Sequence, residues 1–132
     1  RAYAVIANGG YLVTPYLSEL VKGNTSYKQP IKVDIDPKHL KVIRDGLSKV
    51  VQSGTGVSIN YGSNNFPPIS GKTGTAEDAL GGADHAWFVC YVPSDDSELL
   101  ILAFAENTPG GGSVHALPMA KRILEEWQKK NN

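Results

Sequence analysis

Three strand-like runs, Ile69 to Glu77, His85 to Val92 and Leu99 to Ala105, succeed one another with only short connections at residues 78–84 and at Pro93-Ser94-Asp95-Asp96. Parallel neighbours need a crossover of a dozen or more residues, whereas antiparallel neighbours are joined by tight turns. The spacing therefore predicts an antiparallel meander, with the three strands adjacent in chain order. The remaining segments must cover or flank that sheet.

Two helices supply the cover. Asp36-Pro37 places an acceptor at the N-cap and proline at the first helical position, where no backbone donor is lost. Leu40, Ile43, Leu47, Val50 and Val51 then recur at helical spacing until Gly54-Thr55-Gly56. Beyond the glycine-rich residues 109–113, Leu117, Ala120, Ile123, Leu124 and Trp127 share one side of a last helix, and Lys121, Arg122, Glu125 and Glu126 the other. Near the start, Ala2, Val5 and Ile6 lie on a helical face that stops at Gly9-Gly10. Tyr11 to Lys22 and Ile31 to Ile35 suggest a small hairpin, and Ser58 to Pro68 reads as loop. The predicted fold class is α+β, an antiparallel sheet packed against helices, in a single domain.

Composition narrows the function. Thirteen basic and thirteen acidic side chains cancel, so no overall field draws the chain to nucleic acid, which is not an expected partner. No run reaches the roughly 20 apolar residues of a membrane span. His39, His85 and His115 lack zinc-motif spacing and Cys90 is the single cysteine. No metal or other cofactor is expected, and Cys90 reads as a small core residue. The chain opens at Arg1 in what looks like a helix already under way, which gives the expectation of a piece of a longer protein.

The chemistry turns on Ile69-Ser-Gly-Lys-Thr-Gly-Thr-Ala-Glu-Asp78. A phosphate-binding loop needs glycine five residues before its Gly-Lys-Thr, so that the backbone wraps round the phosphates. Phe66 stands there, Pro67-Pro68 precedes the site, and Gly74 interrupts the place where a helix would have to start. The alternative is the Lys-Thr-Gly signature of the penicillin-recognising serine enzymes. Lys-Thr-Gly-Thr-Ala-Glu at 72–77, His-Ala-Trp-Phe-Val at 85–89, Glu-Asn at 106–107 before Gly110-Gly111-Gly112 and an amphipathic helix, Ala7-Asn8-Gly9-Gly10, and Asp36-Pro37 all fit. Together they resemble the C-terminal part of the transpeptidase domain of a class B penicillin-binding protein, most like the cell-elongation type. The resemblance covers nearly all of residues 1–132.

It implies an incomplete portion of the penicillin-binding-protein transpeptidase and serine β-lactamase-like fold, from a parent D,D-transpeptidase. That parent would act outside the cytoplasmic membrane, on the periplasmic side, on peptidoglycan stem peptides ending in D-Ala-D-Ala and on β-lactam antibiotics. A strand with an open edge pairs with an extended peptide, and Gly74 keeps that approach clear. Lys72 offers a compact cation, and the Thr73 and Thr75 hydroxyls can donate to the same carboxylate. In the family these groups position the substrate's terminal carboxylate, and the lysine assists proton traffic around the serine. By the same resemblance the Thr75 backbone N–H is half of the oxyanion hole; losing such a donor costs about 10²–10³ in rate. His85 and Trp87 are candidates for the cleft wall, with a strand-start polar residue and a core aromatic as their plainer readings.

No serine is followed three positions later by lysine, so the nucleophile and its paired base are not in residues 1–132. Ser58-Ile59-Asn60 and Ser63-Asn64-Asn65 match Ser-x-Asn only by chance of an Asn/Ser-rich loop, too close to Lys72 for the family's motif. The chain is expected to be inactive alone, to require the upstream part of the same domain, and to self-associate through an uncovered edge or apolar face. The runner-up is a β-lactam sensor or a catalytically silent scaffold on the same fold. A hydrolytic β-lactamase is a third option.

Overall fold

The computed structural model describes residues 1–16, 28–60, 66–79 and 81–131. Helix α1 (Ala2–Ala7) leads through Gly9 and Gly10, both at positive φ, into strand β1 (Tyr11–Leu12). Strand β2 (Ile31–Lys32) pairs with it antiparallel, Tyr11 opposite Lys32. The predicted hairpin is therefore present but shorter than the alternation of residues 31–35 suggested. The segment expected to form its turn, residues 23–26, lies outside the described residues.

Helix α2 (Pro37–Gln52) begins as its sequence dictates: the Asp36 carboxylate accepts the Lys38 N–H at 2.8 Å, with proline in the first turn. Arg44, on its partly buried side, donates to the carbonyls of Ile6 and Ala7, both at 2.8 Å. A guanidinium thus satisfies carbonyls that the end of α1 leaves unpaired, which ties the two helices together. Leu40, Leu47 and Val51 are buried as expected, but Ile43 is exposed and Val50 only half-buried. The helical stripe is wider than what α2 packs against. Residues Val57–Asn60 form a short 3₁₀ turn instead of plain loop, with Ile59 fully buried in it.

The meander is the centre of the molecule. Strands β3 (Ser70–Ala76), β4 (His85–Val92) and β5 (Leu99–Ala105) are antiparallel in the order β3-β4-β5. The register sets Thr73 opposite Phe88, Gly74 opposite Trp87, and Trp87 in turn opposite Phe104. Because side chains alternate across a strand, Ala86, Phe88, Cys90, Ile101 and Ala103 share one face. Helix α3 (Ala116–Asn131) covers that face with Ala116, Leu117, Ala120 and Leu124, and Val51 and Ile59 close the cluster. Ile123, predicted on the same stripe, is exposed, while Trp127 packs at the cluster's margin.

Among the described residues, the opposite face is covered at one end, where Tyr91 and Leu100 meet Tyr3, Ile6, Ala7 and Leu47. Further along, Leu102 is 59% and Phe104 40% exposed. Among the described residues the outer edges of β3 and β5 have no strand partner. An unpaired strand edge and an exposed apolar patch are thus found among the described residues.

Cys90 is fully buried between the sheet and α3. Burial pushes its thiol up from an ordinary value near 9 to about 12, because the thiolate would be desolvated. The native protein should resist iodoacetamide at about pH 8 and react once unfolded. The unfolded chain sheds this proton from about pH 9 while the folded chain holds it to about 12. The stability carried by the neutral thiol is thus complete below pH 9 and declines toward pH 12, which a pH series of denaturant midpoints would read.

Candidate active site

Strand β3 presents different chemistry on its two faces. Thr73 and Thr75 lie opposite Phe88 and Ala86 in register, and so point to the α3 side, while Lys72 and Gly74 alternate to the other. Gly71 is required for the strand to lie close to β4, since a Cβ there would stand 2.7 Å from the Val89 carbonyl oxygen. The first buried residues of β3 anchor it, and its later residues from Lys72 onward emerge toward solvent.

Along this strand runs an open groove of about 410 Å³, lined by Thr55, Lys72, Thr73, Gly74, Thr75, Gly110, Gly112 and Ser113. One wall is the Lys-Thr-Gly-Thr segment itself. The other is the glycine-rich connection from β5 into α3. Gly110 and Gly111 take positive φ values of 109° and 74° there, which lets the chain reverse between strand and helix. Gly112 then lies so close to the Gly74 backbone and the Trp87 carbonyl that no side chain fits between them. Its carbonyl accepts the Leu117 N–H at 2.8 Å, so the start of α3 is fixed against the middle of β3.

Lys72 is exposed, and its ammonium donates to the Thr73 carbonyl at 2.5 Å. No carboxylate among the described residues pairs with it. An ammonium held at the groove by one neutral acceptor keeps donors to offer an incoming anion. The Thr73 hydroxyl is 2.7 Å from that of Thr55, on the turn after α2. The Thr75 hydroxyl lies against Gly111, in the space a Cβ would take. One cation and several hydroxyls therefore converge on a strand whose outer edge has no strand partner among the described residues, an arrangement suited to an extended anionic peptide.

The sequence-predicted residues Lys72, Thr73, Gly74 and Thr75 all meet in the groove. His85 and Trp87 are not among its lining residues. The His85 Nδ1 accepts the Asn107 N–H at 3.1 Å, and its ring meets Phe104 edge-on at 5.7 Å. Trp87 stacks at a tilt on Phe104, 4.2 Å between centroids, on the face away from α3. Phe88, its neighbour, is wholly core. Between β3 and β4, the Asp78 carboxylate accepts the Gly82 N–H at 2.8 Å. Thr55 and Ser113 are groove residues that sequence reasoning did not single out; for Thr55 the available signal was a lone hydroxyl between two glycines.

The family model for the penicillin-binding protein transpeptidase domain matches residues 1–125. The chain belongs to the penicillin-binding protein transpeptidase family. Its relatives are class B members. It is 27% identical to the peptidoglycan D,D-transpeptidase MrdA of Haemophilus influenzae over 96% of this chain and 22% of that protein. It is 31% identical to stage V sporulation protein D of Bacillus subtilis over 95% of this chain and 21% of that protein. Among solved structures, penicillin-binding protein 2B of Streptococcus pneumoniae aligns at a TM-score of 0.72 and 27% identity, over 97% of this chain and 23% of that one. The chain thus spans about a fifth of the length of these curated relatives, and its α+β architecture is that of a penicillin-binding-protein transpeptidase domain fragment.

Proposed function

We propose that this chain forms the Lys-Thr-Gly side of the cleft in a peptidoglycan D,D-transpeptidase that works through a serine acyl-enzyme. The observation that carries the reading is the convergence of Lys72, Thr73, Gly74 and Thr75 on one groove beside the free edge of β3. A stem peptide ending in D-Ala-D-Ala adds to that edge, its terminal carboxylate taken by the Thr73 and Thr75 hydroxyls and the Lys72 ammonium. Gly74 makes room for the Trp87 side chain across the ladder, since a Cβ there would stand 3.2 Å from the Trp87 Cβ, and the Thr75 N–H stabilises charge on the carbonyl oxygen as the acyl carbon becomes tetrahedral.

The serine is contributed by the upstream part of the same domain, of which residues 1–132 are the C-terminal portion. Its oxygen bonds to the penultimate D-Ala carbonyl carbon, the amide C–N bond breaks, and the terminal D-Ala leaves with the serine's proton, passed on by a base. An acceptor amine then displaces the serine oxygen and forms the cross-link. A β-lactam undergoes only the first half, its opened ring remaining attached. The parent acts on the extracytoplasmic face of the membrane, where this substrate lies. Without the upstream part the isolated chain is inactive, and its exposed Leu102, Phe104 and open strand edges favour self-association.

Intact mass with peptide mapping, after brief exposure of the full-length protein to a penicillin, tests this directly. One adduct on a serine outside residues 1–132 is expected. An adduct on a serine within them would overturn the division of labour, and no adduct on folded protein would favour a silent scaffold.

A further inference from the structure

We propose that Thr55 is a positioning residue for carboxylate recognition, aiming the Thr73 hydroxyl proton into the groove; this rests on the proposed role of Thr73 in holding a substrate carboxylate. The two hydroxyl oxygens stand 2.7 Å apart, an ordinary O–H···O hydrogen bond. Each hydroxyl has one proton to donate, and an ionised carboxylate only accepts. When a carboxylate takes the Thr73 proton, the bond between the threonines has one remaining polarity, with Thr55 donating to Thr73. The result is a relay from Thr55 to Thr73 to carboxylate, in which each bond polarises the next.

The turn that carries Thr55 is built to hold it in place. Gly54 and Gly56 both donate their N–H groups to the Val50 carbonyl, at 3.1 and 2.9 Å. A Cβ on Gly54 would stand 2.9 Å from the Val50 Cα, and one on Gly56 3.2 Å from the Val50 oxygen. Side chains at either flank would lift the turn off the end of α2. Thr55 is therefore the one side chain of this turn, exposed at the groove and fixed from behind by backbone. A hydroxyl placed this way restricts the rotation of Thr73 before any ligand arrives, so that less freedom is lost on binding.

A simple tie between α2 and β3 would use the same hydrogen bond, and the carboxylate separates the two roles. The test uses the full-length protein in three forms, wild type, Thr55→Val and Thr55→Ser, with acylation rates measured for benzylpenicillin and for its methyl ester, which lacks the free carboxylate. Thr55→Val should lower the benzylpenicillin rate constant about tenfold, through a higher half-saturating concentration with the limiting rate kept. The methyl ester rate should stay within about twofold, and Thr55→Ser should restore most of the loss, because it returns the donor. Equal losses with both probes would show a structural tie and overturn the relay. An unchanged benzylpenicillin rate would overturn it as well. Wild-type protein that neither probe acylates would instead bring down the transpeptidase reading, and the relay with it.

Discussion

Gly112→Ala is expected to destabilise the protein by about 3 kcal/mol or more, although it adds a single methyl group. The methyl would enter space already held by backbone: the Trp87 carbonyl oxygen, the Gly74 oxygen at 2.7 Å and the Gly74 nitrogen at 2.9 Å. A clash with a long side chain is relieved by a rotamer change. Here the obstacle is two paired strands, so either the β3–β4 ladder opens or the start of α3 lifts off the sheet. Both displace the groove wall formed by residues 110–113 and loosen the seat of Leu117, whose N–H bonds to Gly112. Gly46→Ala is the matched control. Gly46 lies within α2 with open space at its Cβ position, so the same substitution should stabilise by roughly 0.5–1 kcal/mol through helix propensity. Denaturant midpoints that move in opposite directions would establish the steric account; a neutral Gly112→Ala would remove it.

That glycine also marks where the sequence stops being legible. The run Gly110-Gly111-Gly112 reads as a reversal between strand and helix, and the positive φ of the first two bears this out. Nothing local says that the third is needed for a contact with Gly74, far away in the chain. Elements governed by local rules were readable to within a residue or so. Asp36 and Pro37 start α2, and short connections force β3, β4 and β5 into an antiparallel order. Features governed by tertiary cover were not. Ile43 and Ile123 obey the helical period yet remain exposed, because periodicity gives the direction of a side chain and not the extent of what lies beyond it. Ile59 shows the reverse, a fully buried residue hidden in a stretch whose Asn, Ser, Gly and Pro content reads as surface loop.

The candidate site divides in the same way. Lys72, Thr73, Gly74 and Thr75 are contiguous, so one motif delivers four groove residues at once. Thr55 and Ser113 reach the groove from the end of α2 and the start of α3, and only the fold brings them there. His85 and Trp87 sit on the strand beside the motif, where adjacency in the sheet suggests a cleft wall. The groove runs along the far side of β3 and the α3 connection, and these two rings pack with Phe104.

Lys72→Met in the full-length protein is expected to reduce penicillin acylation by about 10²–10⁴-fold, the range associated with losing a positioned proton-transfer group, while leaving stability almost unchanged. Lys72 is exposed and bonds only to the neighbouring Thr73 carbonyl among the described residues, so its removal should shift the unfolding free energy by no more than about 0.5 kcal/mol. Yet among the described residues its side chain is the one cation lining the groove, and an extended peptide bound at the β3 edge would bring its carboxylate and reacting carbonyl toward it. Lys72→Arg keeps the positive charge but replaces a compact, rotatable donor with a planar fork. It should recover less than about a tenth of the wild-type rate if proton transfer is the larger part of the role, and considerably more if charge alone matters. Labelling by a fluorescent penicillin alongside thermal melts reads both quantities. Acylation of Lys72→Met at near wild-type rate, with an intact fold, would take Lys72 out of the chemistry and leave it as a solvated charge on an edge strand.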